Sequence, residues 1–346
     1  MCRFCVPLLA LLCMLPLWAQ YGVNSELTKP IVIESTNAQI IHTSAIITHI
    51  SSFNNQIFVG NASGGIDVFS LDKSKRAHKT YSLTLPLVKD YFDNDFAPRV
   101  FDITTFDGKT LFVLSEASRG GKQILKISAM QEAEVIYQTT TSPKRIIAFD
   151  KDKLVVGFLS NEIGLFDIKN ANFIYMSHPS LAGFSDLCVN APFIFSTDES
   201  GIVNVLNVSN GELLARLENI NKDNNYQIAS ARDKILTAGA DRQMGVYTFS
   251  TQPQNSTQKA QFSLKNAASI KSHFLIYAVG ISPQANFGAF SKNEQNDIGV
   301  IHLPTMREIY TLKGTTSLIN SIIFYDEKTI ISGSDDKSMI IWQLKD

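Results

Sequence analysis

Cysteine is scarce in this chain, and tryptophan more so. Of four cysteines, Cys2, Cys5 and Cys13 fall in the first residues and Cys188 stands alone in the body. If the leading segment is removed, an intrachain disulfide is excluded, and the C-x-x-C spacing of Cys2 and Cys5 carries no metal or redox role. Cys188 follows Leu187 in an apolar run and reads as a buried, inert thiol. Runs of like charge are missing too: 31 Lys and Arg face 32 Asp and Glu, a formal charge of −1, with the cations scattered. That excludes the basic stripe of a nucleic-acid binder. G-x-S-x-G, G-x-x-x-x-G-K-[ST] and, past the leader, C-x-x-C-H strings are absent, so the common nucleophile and phosphate cradles are not expected. His42, His49, His78, His178, His273 and His302 show no i,i+2 or i,i+4 pair, so a zinc site is not expected and the six read as surface or loop residues.

What is present begins with a leader. Arg3 is followed by the apolar stretch "VPLLALLCMLPLW" at 6–18 and by the small Ala19. Interrupted by Pro16, it is too short to span a bilayer comfortably, and residues 1–19 read as a cleavable signal peptide for export in the unfolded state. Cys13 lacks the small residues that precede a lipid-anchored cysteine, so the expected product is a periplasmic protein with no membrane anchor. Loss of Arg3 would take the formal charge from −1 to −2. With 45% hydrophobic residues, the remainder can bury a large core.

Two landmarks then recur along the chain. One is a tight turn between β-prone runs: "FNNQI", "FDGKTL", "FDKDKL", "VNAPF", "ARDKI" and "YDEKTI". The other is a β-prone run ending in a bulky residue: Phe69, Ile127, Phe166, Leu206, Tyr247, Ile301 and Trp342. Ile57 to Phe69, Leu154 to Phe166, Ile235 to Tyr247 and Ile330 to Trp342 are each 12 residues apart, and Phe193 to Leu206 is 13. Leu111 to Ile127 is 16 and Phe274 to Ile301 is 27, so two units carry extra length. An anchor-to-anchor period of about 40 residues with short strands is the signature of a β-propeller.

The strings "SGSDDKSMIIWQL", "TAGADRQMGVYTF" and "STDESGIVNVLNV" resemble WD40-type repeats, and the likeness covers residues 30–346. It implies an all-β, seven-bladed WD40-like β-propeller. The last unit holds three strands, so "PIVIESTNAQIIHTS" at 30–44 is expected to pair beside Met339 and close the ring, covering an edge that would otherwise invite wrong partners. The pattern departs from the family at its Gly-His pair, where Gly314 and Thr315 stand before the last unit, and at its aromatic, which only Trp342 keeps. Packing rather than a histidine-based hydrogen-bond network is expected to hold most blades.

The two long units supply the candidate binding residues. "LPLVKDYFDNDFAPRVF" at 85–101 mixes Tyr91, Phe92 and Phe96 with Asp93, Asp95 and Arg99, a composition suited to partner recognition and equally to a loop that plugs the central channel or packs on a neighbouring blade. Asp93, Asn94 and Asp95 lack the Gly and distal Glu of a calcium loop. "GISPQANFGAFSKNEQND" at 280–297 adds Phe287, either as a contact residue or within an elongated hairpin. In WD40-like propellers both insertions would sit on one face.

An exported, degenerate propeller with a single cysteine past its leader and this Lys-, Asn- and Ile-rich wording resembles the NapL-type accessory proteins of the periplasmic nitrate reductase system. That resemblance implies a non-catalytic, monomeric scaffold of nitrate respiration, with the reductase or its maturation proteins as partners and no cofactor. The alternatives are a propeller assisting outer-membrane protein assembly, and a propeller enzyme or small-molecule sensor. A quinone-cofactor enzyme would need repeated tryptophans that the chain lacks.

Overall fold

The computed structural model describes residues 29–128, 132–218, 220–252 and 261–345; the signal peptide expected at 1–19 lies outside them. Among the described residues, seven blade sheets follow one another along the chain, each built outward from the ring centre: five are four-strand antiparallel meanders, and blades six and seven are completed by strands from the N-terminal segment. The innermost strands are Ile47–Phe53, Val100–Thr105, Pro143–Asp150, Phe184–Asn190, Asn225–Ala231, Val279–Ile281 and Ile319–Phe324. Successive strands reverse direction, so connections between blades and turns between second and third strands share one face, here called upper.

The turn-to-anchor spacing has a direct structural meaning. Ile57 pairs across with Phe69, Leu111 with Ile127, Leu154 with Phe166, Ile235 with Tyr247 and Ile330 with Trp342. In blade four the register moves by one, and Leu206 faces Ile194. Second strands are almost wholly buried, as at Thr329–Ser334, whereas the outer strand Asn172–Ser177 alternates exposed and half-buried residues. Neighbouring blades cover the middle strands on both faces, which is why those strands read as unbroken apolar runs.

Packing closes the ring. Among the described residues, seven apolar clusters occur, one at each junction between blades, from the cluster joining Phe58 to Val113 between blades one and two to the one joining Ile57 to Met339 between blades seven and one. Each fully buried Leu, Ile or Phe contributes about 1.5–3 kcal/mol relative to exposure, so every junction is stabilised without a ligand or disulfide.

The N-terminal segment divides its work between two blades. Gln39–His42 pairs antiparallel with Ser338–Gln343 and completes blade seven. Ile31–Glu34 adds a parallel fifth strand to blade six beside Arg307–Lys313. The expected closing strand is thus the second half of the 30–44 stretch.

The blade-six insertion is corrected. Its second strand is Phe287–Ser291, and Gly288 faces Ile301. Ser282 to Asn286 form the turn before it, with Ser282 Oγ accepting the N–H groups of Asn286 and Phe287. The 280–297 stretch is therefore a normal strand with a lower turn and an upper one. The extra length lies in blade five, whose strands Gln243–Gln252 and Gln261–Lys271 outrun their counterparts. Phe262 stacks on Phe249 and meets Phe193 edge-on, so the elongated hairpin leans on blade four.

In blade five a polar network like the one the WD40 resemblance implies is built with a different residue. Asn221, on the connection into blade five, donates from Nδ2 to Asp241 Oδ1 at 3.0 Å and accepts Thr237 Oγ1 on Oδ1 at 2.6 Å. An amide, with a donor and an acceptor, does what the resemblance assigns to histidine. Asn221→Ala is expected to cost about 1–3 kcal/mol in denaturant unfolding, because the buried Thr237 O–H loses its acceptor while its oxygen keeps the Gly245 N–H.

Candidate functional site

The 85–101 stretch is a structured arm on the upper face. Val88–Lys89 pairs with Asp95–Phe96 as a two-strand ribbon. Asp90 builds its turn: Oδ1 accepts the N–H groups of Phe92 at 2.7 Å and Asn94 at 2.9 Å, and Oδ2 accepts Asn94 Nδ2. Those bonds hold the Asp90 carboxyl below its ordinary range, the Asn94 side chain contributing most. Asp93 takes the left-handed conformation, φ 63°, that lets the chain reverse. Leu85 and Val88 are buried, anchoring the ribbon, while Tyr91 and Phe92 at the apex stay 74% and 87% exposed.

Blade two holds the arm in place. Lys89 N–H donates to Ser118 Oγ at 3.0 Å, Arg119 Nη2 lies 3.3 Å from Asp93 Oδ1, and Lys89 pairs with Asp95 at 2.7 Å. The Arg99 and Glu116 backbones are also joined. Tyr91 lies against Gly120, where a Cβ would stand 2.8 Å from its hydroxyl and φ is +73°. The structure therefore brings Tyr91, Phe92, Asp93, Asp95, Phe96 and Arg99 into one arm, with Phe96 half-buried. Phe287 is elsewhere: it begins a second strand at the lower end of blade six, half-buried with its ring 5.8 Å from that of His302. Residues 85–99 do not line the central channel, so the plug reading is set aside, whereas packing on a neighbouring blade is what the contacts with blade two show.

The channel is a cavity of about 440 Å³ lined by the inner strands. Near its upper end, side chains link all seven blades in a closed circuit. His49 of blade one lies 3.0 Å through Nε2 from Asp102 Oδ1 of blade two. Asp102 accepts Arg145 Nη1 of blade three at 3.1 Å and the Ile146 N–H at 2.7 Å. Arg145 Nε stands 3.1 Å from Asp186 Oδ1 of blade four with its N–H misaligned, so that contact is coulombic. Asp186 Oδ2 accepts the Ile228 N–H of blade five, and Gln227 beside it reaches Val279 N of blade six and Asn320 O of blade seven. Asn320 Nδ2 returns to Ile47 O of blade one.

No residue-type motif marks this belt: His49, Asp102, Arg145, Asp186 and Gln227 each stand third in an inner strand, but the side chain differs from repeat to repeat. His49 is also a correction, because it stands on an inner strand facing the channel, its side chain 11% exposed, rather than on the outer surface or in a loop. Cys188 is only partly covered and lines the same channel; burial pushes its thiol upward.

Burial pushes the His49 imidazole down to about 4, with Asp102 opposing and Arg145 adding to the fall. Arg145 Nη1 lies 3.2 Å from Nδ1, which as acceptor must be bare, so the neutral ring carries its proton on Nε2 toward Asp102. The unfolded ring binds a proton near its ordinary value of about 6.5. Between those values the unfolded state holds more protons, so this group makes stability rise with pH through the window and contributes fully above it. Asp186, raised mainly by burial, works in the opposite direction, but it is present in both proteins of a His49→Gln comparison. The variant is expected to show a shallower loss of unfolding free energy on acidification from about 6.5 to 4. Parallel pH profiles would show that His49 contributes nothing to the slope.

Among the described residues, no helix is long and apolar enough to cross a membrane, and no group of three or more His, Cys, Asp or Glu is spaced to hold a metal. The fold defines the class: a seven-bladed, WD40-like β-propeller. No family profile and no curated protein sequence matches the chain. Among solved structures, it is similar to the β-propeller domain of Myceliophteria thermophila Cps50 (Swd1), at 11% identity and a TM-score of 0.69, over 89% of this chain and 98% of that one. At that identity the likeness is one of fold. Some 1750 solved chains match in this way, so the fold alone selects no function.

Proposed function

We propose that the protein is a non-catalytic, periplasmic accessory scaffold of nitrate respiration, which docks a protein partner through the arm on its upper face. The observation that carries the docking reading is the arm itself. Two aromatic side chains stand in solvent on a turn fixed by Asp90, and little order remains to be gained on binding. Exposed aromatics of that kind are the usual energetic anchors of an interface. The nitrate context rests on the resemblance to NapL-type accessory proteins, and the periplasmic location on the leader at 1–19. The partner is then the periplasmic nitrate reductase or one of its maturation proteins.

The test is capture from extract of the source grown on nitrate, with wild type and Phe92→Ser as baits. Wild type is expected to retain reductase or maturation subunits, with at least about tenfold less on the variant, a loss typical of an anchor residue. Melting of the two baits should agree, since the phenyl ring is 87% exposed. Equal capture by both would remove the arm from the interface. Capture of outer-membrane assembly proteins instead would keep the arm and replace the pathway.

A further inference from the structure

The arm is one end of a continuous strip across the upper face of blades two to four. Beside Gly120, on which Tyr91 rests, Lys122 places Nζ 3.2 Å from the centre of the Phe101 ring. Phe101 lines the channel mouth together with Lys144 and Arg145. Lys144 Nζ reaches Phe184 O at 3.5 Å, and Ser142 O accepts the Leu159 N–H. Leu159 O accepts from Phe184 N–H, and Asn161 Nδ2 holds Ala182 O at 2.8 Å, which fixes the neighbouring loop bearing Leu181. Leu159 and Leu181 are exposed, Leu181 fully. The strip thus runs from an aromatic prominence, past two lysines, to an aliphatic one.

The lysines give the strip its chemistry. Neither forms an ion pair among the described residues: Lys122 faces a ring, and Lys144 a carbonyl. Loss of hydration lowers both ammonium groups, only partly offset by Glu116 for Lys122 and by Asp186 and Glu199 for Lys144. Arg145, their cationic neighbour, is already committed to Asp102 and Asp186. Two solvent-accessible cations without a carboxylate in ion-pair contact, set between apolar anchors, are complementary to carboxylates flanked by apolar residues.

We propose that this strip takes an acidic segment of the partner protein, its carboxylates on Lys122 and Lys144 and its apolar residues on Phe92 and Leu181. The proposal rests on the docking reading above and adds the chemistry of what docks.

The probe is a short, capped, fluorescent peptide alternating Glu with Leu, compared with the same peptide carrying Gln or Lys in place of Glu. Anisotropy titrations at low and moderate salt are expected to show binding of the Glu peptide, weakening with salt, and at least about tenfold weaker binding of the other two. Lys122→Met/Lys144→Met should lose at least about tenfold toward the Glu peptide, whereas Lys73→Met on the lower face should lose nothing. All three proteins should melt together. Failure of wild type to bind the Glu peptide, equal binding of the Gln peptide, or unchanged binding by the double variant would overturn the proposal. So would sedimentation of wild type with phosphatidylglycerol vesicles in place of peptide binding. If Phe92→Ser abolishes partner capture while the double lysine variant captures normally, the acidic segment is wrong and the docking arm stands. If neither variant loses the partner, both readings fall.

Discussion

Replacing Trp342 by alanine is expected to lower the unfolding free energy by about 3–5 kcal/mol, the range for truncating a fully buried aromatic. The indole is 0% exposed, faces Ile330 across the strand pair and packs with Ile322, Phe324 and Leu344 at the junction of blades six and seven. Its Nε1–H donates to Ser332 Oγ at 2.9 Å, so truncation also strands a buried hydroxyl. Trp342→Phe should lose less, about 1–2 kcal/mol, because most of the volume is kept and the hydrogen bond is not. Guanidinium midpoints at unchanged slope would measure both losses. A midpoint equal to wild type for the alanine variant would remove the indole from the blade core.

The second large effect is expected at the channel belt. Arg145→Met should cost about 3–5 kcal/mol, the penalty for breaking a buried ion pair from one side. Asp102 is 1% exposed on its side chain and Asp186 12%, and the guanidinium is the cation both of them touch. Without it, two carboxylates remain close together in poor solvent, and one must take up a proton or recruit water. The loss should therefore be smaller in acid than at neutral pH. Adding Asp102→Asn and Asp186→Asn to Arg145→Met should recover much of the stability, since the amides still accept the Ile146 and Ile228 N–H groups. A triple variant no more stable than the single one would mean that Arg145 acts through packing rather than charge.

The ring was legible in the sequence because one physical constraint repeats. A turn of fixed length followed by a strand of fixed length sets which residue lies opposite the bulky anchor, and Ile57, Leu154, Ile235 and Ile330 meet their anchors as the spacing requires. Blade six escaped because its turn, "SPQAN", is made with Pro283 and the Ser282 hydroxyl rather than with the Asp, Asn, Gly and Lys of the others. Phe274 therefore stood in for Phe287, and length that belongs to blade five was assigned to blade six. The arm announced itself by composition, and the fixing of its apex by Asp90 follows from an Asx-type turn. The channel belt could not be read: His49, Asp102, Arg145 and Asp186 occupy early positions of four inner strands, and only closure of the ring brings them together. Likewise Asn221 stands in for histidine by hydrogen-bonding geometry, which residue type alone does not show.

The pairing of Gln39–His42 with Ser338–Gln343 sets the order of events in folding. A contact across nearly the whole chain carries the greatest loop-closure entropy the molecule has to meet, so it belongs to the slow end of folding. During vectorial synthesis, Ile31–Glu34 can pair once blade six is complete, whereas Gln39–His42 waits as an unpaired strand until the last blade arrives. Through that interval it is a site for capture by chaperones and for mispairing with other nascent copies. Once it is locked, unravelling from either end must break the same clasp, so resistance to proteolysis should arise in a single step at ring closure rather than blade by blade.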